Sequence, residues 1–204
     1  MAITTYAELK TAVGNWLNRS DLSSYLDDIC TVGEKWIERN VRVRAMETSL
    51  TSTIGASVAG AIVLPTDYVE AKNLYLDMTP AQKLTRKSLD YIYDAYPTRS
   101  GGAIPKFFAR EQGNLIFGPY PGSAYVVKGT YYKRFTTVAT TVNALFTSNP
   151  DLYLYSALAE AEPFLKEDER VQLWQAKRDM VVASMLKEDA NEDASGSPLH
   201  MTAG

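Results

Sequence analysis

Apolar residues recur at helical spacing along the first forty positions. Thr5 followed by Glu8 predicts a capping box that opens a helix, with one apolar face built from Tyr6, Leu9, Val13, Trp16 and Leu17. After a turn at 18–21, a second helix is predicted to carry Leu22, Leu26, Ile29, Gly33, Trp36 and Ile37 on one face and to end between Arg39 and Arg44.

Helical spacing returns at residue 149. Asn149 or Ser148 can serve as N-cap, Pro150 suits the first helical position, and Asp151 suits the positive end of the helix dipole. The apolar positions that follow surround the helix axis, which predicts a helix covered on more than one side. Pro163 predicts a break before a long amphipathic helix that extends to about residue 190.

The middle of the chain is rich in threonine, serine and glycine, and its short apolar runs are typical of strands. The run from Tyr125 to Phe135 alternates apolar and polar side chains. The pattern predicts a short helix over 88–96, a threonine-rich loop over 136–148, and strands over 61–64, 69–76, 106–110, 114–117 and 125–135.

Helices at both ends with strands between them predict an α+β fold. Neither terminal helix pair can bury its apolar face alone, so we expect the two pairs to form a discontinuous four-helix bundle with an inserted antiparallel β region. The predicted division is 1–44 and 149–189 for the bundle, 45–148 for the β-rich insertion, and 190–204 for a flexible tail.

Composition narrows the function classes. A formal net charge of -3 argues against a general nucleic-acid binder, and the single cysteine, Cys30, excludes an internal disulfide. The sequence has neither an apolar run long enough for a membrane span nor the pattern of a signal peptide, so we expect the chain to start in a reducing cytoplasm.

The chain offers little catalytic chemistry. His200 is the only histidine, and the phosphate-binding glycine motifs are missing, so we expect no catalytic, cofactor or metal site. Carboxylates that could pair for glycoside cleavage are better explained as solvent-facing or helix N-terminal acids; they are Asp27, Asp28, Glu160, Glu162, Glu167, Asp168 and Glu169. Trp16, Trp36 and Trp174 each lie on an apolar helix face, which favours core packing over sugar stacking.

Two polar segments are candidates for contacts with a partner. Arg39, Arg42 and Arg44 lie where the second helix ends, and can either cap its carbonyls or contact a neighbouring subunit. Residues 187–204 are too small and polar to fold alone, and such a segment can become ordered on a partner. The partner-binding candidates are Arg42, Arg44, Leu199, His200 and Met201.

Several blocks of sequence, in the same order along nearly the whole chain, resemble the head-to-tail adaptor proteins of tailed bacteriophages, especially the short-tailed ones. One block is Leu64-Pro-Thr-Asp-Tyr68, and the others are residues 3–21, 38–47, 149–158 and 166–170. The resemblance is weakest over 98–148 and in the C-terminal tail.

The resemblance implies a structural role in the virion. Such adaptors form rings, usually of twelve copies, that dock beneath the portal, carry the tail nozzle or tube and often fibres, and leave a channel for DNA. It also implies that residues 187–204 reach toward the portal, and it brings no catalytic residue. From the residues themselves we expect no cofactor and no membrane contact. We expect a protein that is monomeric or weakly associated in the host cytoplasm and becomes a ring on the portal.

Three other functions stay open at this point. The chain could cleave peptidoglycan or polysaccharide with Glu160 or Asp168 as the acid. It could bind carbohydrate through its tyrosine-rich strands. It could also be another neck component, such as a head-completion or tail-terminator protein.

Overall fold

The computed structural model describes residues 2–55, 60–98, 102–161, 165 and 169–195. The chain is mixed α+β and divides into two compact units. The helical unit combines residues 1–45 and 135–204, and the β unit spans Met46–Arg134. Residues 135–148, which the sequence assigns to the predicted insertion, group with the helices in this division.

The first two helices begin the helical unit. They are α1 (Tyr6–Leu17) and α2 (Leu26–Asn40). The predicted capping box is confirmed, since Thr5 accepts a hydrogen bond from the backbone N–H of Glu8 and the Glu8 side chain bonds back to Thr5. Helix α2 begins four residues later than its apolar spacing predicts, although Leu22 is buried.

Three more helices complete this unit. They are α4 (Ala144–Ser148), α5 (Pro150–Glu160) and α6 (Arg170–Ser195), whereas α3 (Leu89–Ala95) lies in the β unit. The predicted threonine-rich loop thus contains α4, whose N-cap Asn143 accepts a hydrogen bond from the backbone N–H of Phe146. Helix α6 also continues past the predicted tail boundary at 190. The predicted break at Pro163 lies outside the described residues.

Helix α5 contacts α1, α2, α4 and α6. Helices that precede the β unit in the sequence and helices that follow it therefore both pack on α5. Its buried positions lie all round the axis, as its sequence predicts; they are Leu152, Tyr153, Leu154, Ser156, Ala157, Leu158 and Ala159. Pro150 occupies the first turn as predicted, but the Asn149 side chain makes no capping bond. Asp151 instead accepts from the N–H of Leu152 at 3.0 Å.

A seven-stranded sheet forms most of the β unit. The strands are β1 (Glu47–Ile54), β2 (Ala61–Val63), β3 (Tyr68–Leu76), β4 (Gln82–Arg86), β5 (Phe107–Glu111), β6 (Asn114–Gly118) and β7 (Tyr125–Lys133). Their spatial order in the sheet is β1-β7-β3-β4-β5-β6-β2. The pairs are antiparallel except for β4 and β5, which run parallel and depart from the predicted antiparallel region.

One hydrophobic core serves the whole sheet. It includes Leu50 from β1 at one edge and Ile62 from β2 at the other, together with residues of every strand between them. The sheet must therefore curve around this core. Helix α3 (Leu89–Ala95), capped by Ser88, covers a second small cluster through Ile92, which packs with Ala109 and Ile116.

Candidate interaction surfaces

The predicted arginine cluster is anchored within the helical unit. Arg42 donates from Nη1 to the backbone carbonyls of Glu38 at 2.9 Å and Val41 at 2.6 Å, which is the carbonyl capping expected at a helix C-terminus. Arg44 donates from its backbone N–H to Asp189 at 2.8 Å and pairs through its guanidinium with Glu192.

The Arg44 contacts join the end of α2 to the last turns of α6. Arg44 and Glu192 are both substantially exposed, so this ion pair lies at the surface. A contact of Arg42 or Arg44 with a partner stays a prediction. The other three candidates, Leu199, His200 and Met201, lie outside the described residues.

A buried guanidinium lies between three helices of the same unit. Arg178 of α6 is 7 % exposed, and its guanidinium carbon is 3.6 Å from the centroid of the Trp36 ring of α2. Its Nη1 donates to Glu160 of α5 at 3.3 Å. An aromatic face and a carboxylate together offset the cost of removing this cation from water.

Arg178 is not among the residues predicted above, yet the sequence carries a signal for it. Arg178 lies on the same face of α6 as the buried residues Val171, Trp174 and Met185, at helical spacing from each. A single cation within an apolar helix face is buried only with partners, so its position predicts a nearby carboxylate or aromatic ring.

Two of the carboxylates considered for glycoside cleavage, Glu160 and Asp27, take part in ion pairs. Glu160 accepts from Arg178, and Asp27 lies 2.9 Å from Lys10. Hydrogen bonds from Lys10 and then Tyr6 hold the pKa of Asp27 below its usual value. Glu162, Glu167 and Asp168 lie outside the described residues.

The three tryptophans have different environments. Trp174 is 3 % exposed and packs in the core as predicted, and Trp36 is partly buried beneath Arg178. Trp16 is 47 % exposed, so its predicted core position is wrong. Its ring meets the ring of Tyr155 of α5 at a steep angle, with centroids 5.9 Å apart.

A second polar network fastens the segment before α4 to the helices. Glu34 of α2 accepts from the backbone N–H of Val138 through both carboxylate oxygens, at 3.2 and 3.3 Å. Burial raises the pKa of Glu34, and the Val138 hydrogen bond opposes that shift. Asn143 accepts from the Tyr153 hydroxyl at 3.2 Å, and burial raises the pKa of Tyr153 well above its usual value.

In the β unit, several of the tyrosines proposed for carbohydrate stacking serve the core instead. Tyr131 stacks on Tyr68 with centroids 5.4 Å apart, and its hydroxyl donates to Asp67 at 2.9 Å. Tyr75, Tyr91 and Tyr93 are the more exposed ones. Ion pairs in the β unit include Lys72–Glu47, Arg86–Glu70 and Lys128–Asp77.

No group of three or more His, Cys, Asp or Glu side chains is arranged to hold a metal ion in the described part of the chain. None of the described helices combines the length and the apolar character that a membrane span requires.

Comparison with protein families gives a match over nearly the whole chain. The sequence model described as SU10 adaptor protein matches residues 4–202. No curated protein matches the chain.

Proposed function

Because the chain belongs to the SU10 adaptor protein family and is thus a bacteriophage adaptor, we propose that it forms the ring that joins the portal to the tail. In this proposal the ring carries the nozzle or tail tube, with or without fibres, and leaves a central channel for DNA. The protein is made in the host cytoplasm and takes its place in the neck of the virion.

The match across residues 4–202 carries this proposal, because it includes both compact units rather than one of them. The sequence resemblance to short-tailed phage adaptors, drawn from separate blocks, points to the same role. We interpret α1, α2, α5 and α6 as the discontinuous bundle that the sequence predicts, with the β unit as its insertion.

A closed ring requires that each copy present one patch to one neighbour and a different patch to the other. A chain with two separate units can supply such patches from different surfaces. We take the copy number, twelve, from the resemblance. A net charge of -3 suits a channel wall that DNA passes without being held, since the phosphate backbone binds to clustered basic surfaces.

For contacts with the portal we propose the C-terminal residues 187–204, including Leu199, His200 and Met201, supported by Arg42 and Arg44. The described part of this segment is the last stretch of α6, to which Arg44 is bonded. Docking through the C-terminal residues would couple ring formation to the presence of the portal, because only copies held there meet at high local concentration.

The test is assembly from purified parts. We expect light scattering to give a monomer or a weak oligomer for the free chain, and a ring of twelve copies after portal is added. Removal of residues 196–204 should abolish portal binding, whereas a chain with the same residues replaced by a Gly/Ser segment of equal length controls for length alone.

Cryo-electron microscopy of the virion neck supplies the second readout, because it shows directly where the chain lies. A stable dodecamer without portal would contradict the proposed order of events. A neck map in which this chain lies elsewhere in the virion would overturn the role itself.

A further inference from the structure

The sheet carries a shallow concavity, called here the dish, on its outer face where β1, β7 and β3 lie side by side. Leu50, Val127 and Leu74 of these strands point into the core, so the residues that alternate with them point outward. Six outward side chains line the dish in two cross-strand rows, Ser49–Thr130–Asn73 and Thr51–Lys128–Tyr75.

The dish is small. Its volume is about 230 Å³, which is below the roughly 300–1,000 Å³ of pockets that hold drug-sized molecules. Three neighbouring strands span about 10 Å, and the two rows lie about 7 Å apart along the strands. The dish therefore has room for one small ring with its substituents.

Several polar groups of the dish are unused within the folded chain. Asn73 accepts through Oδ1 from the Thr130 backbone N–H at 3.1 Å and from the Thr130 hydroxyl at 2.9 Å. These two bonds fix the amide and leave both of its N–H donors available. The hydroxyls of Ser49, Thr51 and Tyr75 likewise have no hydrogen-bond partner in the described part of the chain. The dish thus presents donors and acceptors in fixed places to a ligand.

One aromatic ring and one ion pair complete the dish. Tyr75 is 37 % exposed, so its ring is available for contact. Lys128 lies directly opposite Tyr75 in the ladder, and its Nζ is 2.7 Å from a carboxylate oxygen of Asp77. Lys128 is the only charged side chain of the two rows, and Asp77 neutralises it. The dish accordingly does not favour an anion such as a phosphate or a carboxylate.

This combination matches the two sides of a sugar ring. A pyranose has C–H groups that pack on an aromatic ring, and hydroxyls that need both donors and acceptors. We propose that the dish binds one ring of a neutral sugar, with Tyr75 against its C–H groups and with Asn73, Ser49 and Thr51 bonded to its hydroxyls. This site goes beyond the proposed adaptor role and does not depend on it.

The position of the dish suits a sugar that is part of a longer polymer. Strand β1 is an edge of the sheet, so a polysaccharide chain can leave the dish past β1 without crossing further strands. A single ring has only about a dozen heavy atoms, which limits the Kd to the order of 1–10 mM. If the chain also forms the proposed ring, several dishes on one ring can bind a repeating polymer much more tightly than one dish does.

Amide NMR of the isotope-labelled full chain tests the site, with glucose, galactose and N-acetylglucosamine as probes. We expect at least one of these sugars to shift the amide signals of residues 49–51, 73–75 and 128–130, with a Kd on the order of 1–10 mM. Glucuronic acid, the charged counterpart of glucose, should bind no more tightly than glucose. The proposal is overturned if none of the neutral sugars shifts these signals at about 100 mM, or if glucuronic acid alone does.

Two variants separate the ring contact from the hydrogen bonds. Tyr75→Leu should weaken binding at least tenfold, because it removes the aromatic face. Tyr91→Leu makes the same change at a tyrosine of α3 that is 39 % exposed and lies outside the dish, and it should bind as wild type does. Asn73→Asp keeps the acceptor for Thr130 but removes the amide donors, and should weaken binding about threefold or more.

The same spectra show whether each variant is folded, so loss of binding is not confused with unfolding. Equal binding by Tyr75→Leu and wild type would overturn the site, as would equal weakening by Tyr75→Leu and Tyr91→Leu. These experiments contain no portal. Failure to bind sugar therefore leaves the proposed adaptor function standing, and failure to dock on the portal leaves the sugar site standing.

Discussion

The guanidinium of Arg178 stacks on the indole of Trp36, with 3.6 Å between the guanidinium carbon and the ring centroid. These residues belong to α6 and α2, on opposite sides of the β unit in sequence. The same guanidinium binds Glu160 of α5, so one side chain links three helices.

Replacement of Arg178 by alanine should destabilise the protein by about 2–4 kcal/mol, because it removes the stacked cation and leaves Glu160 without its partner. Arg178→Lys should destabilise the protein less than Arg178→Ala does, since lysine keeps the charge but lacks the planar group. Urea unfolding followed by tryptophan fluorescence measures the change. Lys177→Ala, at the exposed neighbouring position, is the control and should cost at most about 1 kcal/mol, because its ammonium lies 6.0 Å from the centroid of the Tyr155 ring at the surface. Equal costs at 177 and 178 would show that the stack contributes nothing.

Gly33 allows α2 to approach α5 closely. A Cβ at this position would lie 2.8 Å from the backbone nitrogen of Ala157, and backbone cannot move aside without separating the helices. Gly33→Ala should therefore destabilise by about 1–3 kcal/mol. Gly14→Ala provides the matched control in α1, where the nearest atom is Leu26 Cδ1 at 3.6 Å. It should be neutral or stabilise by up to about 1 kcal/mol, because alanine favours helix. Thermal unfolding that moves both variants in the same direction would refute this account.

Glu34 should give the protein a distinctive pH dependence. Burial raises the pKa of Glu34 above its usual 4.5, so the folded chain binds its proton more tightly than the unfolded chain. The stability that the folded chain gains from binding this proton is fully present below pH 4.5, and it is lost as pH rises through the pKa of Glu34 in the folded chain. The free energy of unfolding of wild type relative to Glu34→Gln should therefore decrease with rising pH above 4.5, as urea unfolding at several pH values would show.

Glu8 gives the opposite sign and serves as control for Glu34. Hydrogen bonds from Thr4 and Thr5 lower the pKa of Glu8 below 4.5. Its contribution is present above pH 4.5 and is lost as pH falls through the folded pKa. Wild type relative to Glu8→Gln should thus gain stability with rising pH. If the free energy of unfolding of wild type changed with pH in the same direction relative to Glu34→Gln and to Glu8→Gln, Glu34 would not be the buried acid.

Gly129 of β7 lies against the backbone of β3. A Cβ here would lie 2.1 Å from the carbonyl oxygen of Asn73, next to a register shift between Ala71 and Asn73. Gly129→Ala should destabilise the β unit by about 3 kcal/mol, because the strands must part. Amide hydrogen exchange along β7 measures the loss. Gly113→Ala is the control, since its Cβ would meet no described atom within 4 Å. Unchanged amide exchange in Gly129→Ala would show that the pairing of β7 with β3 accommodates the methyl group without loss of stability.

Local signals in the sequence predict the helices and several strands well. Thr5 and Glu8 locate the start of α1, and Pro150 locates the start of α5, because capping depends on neighbouring residues alone. Strand β1 was missed because Leu50 and Ile54 are its only fully buried residues, among threonines and serines that also suit a loop. Strand β4 offers one buried residue, Leu84.

Contacts between distant parts of the chain account for the remaining differences. Trp16 has the apolar spacing of a core residue, but whether an indole is covered depends on which helix lies opposite, and contact with Tyr155 of α5 leaves the indole 47 % exposed. The register of β4 beside β5 depends likewise on tertiary packing. Arg178 and Glu34 were missed because their partners, Trp36 and Val138, are far away in sequence.

The division of the chain gives the two units different histories during synthesis on the ribosome. The β unit is a continuous segment, so all its strands can pair once residue 134 has left the exit tunnel. Helices α1 and α2 emerge first but must wait for α5, against which they pack. The earliest part of the polypeptide to be translated is therefore among the last to acquire its native neighbours.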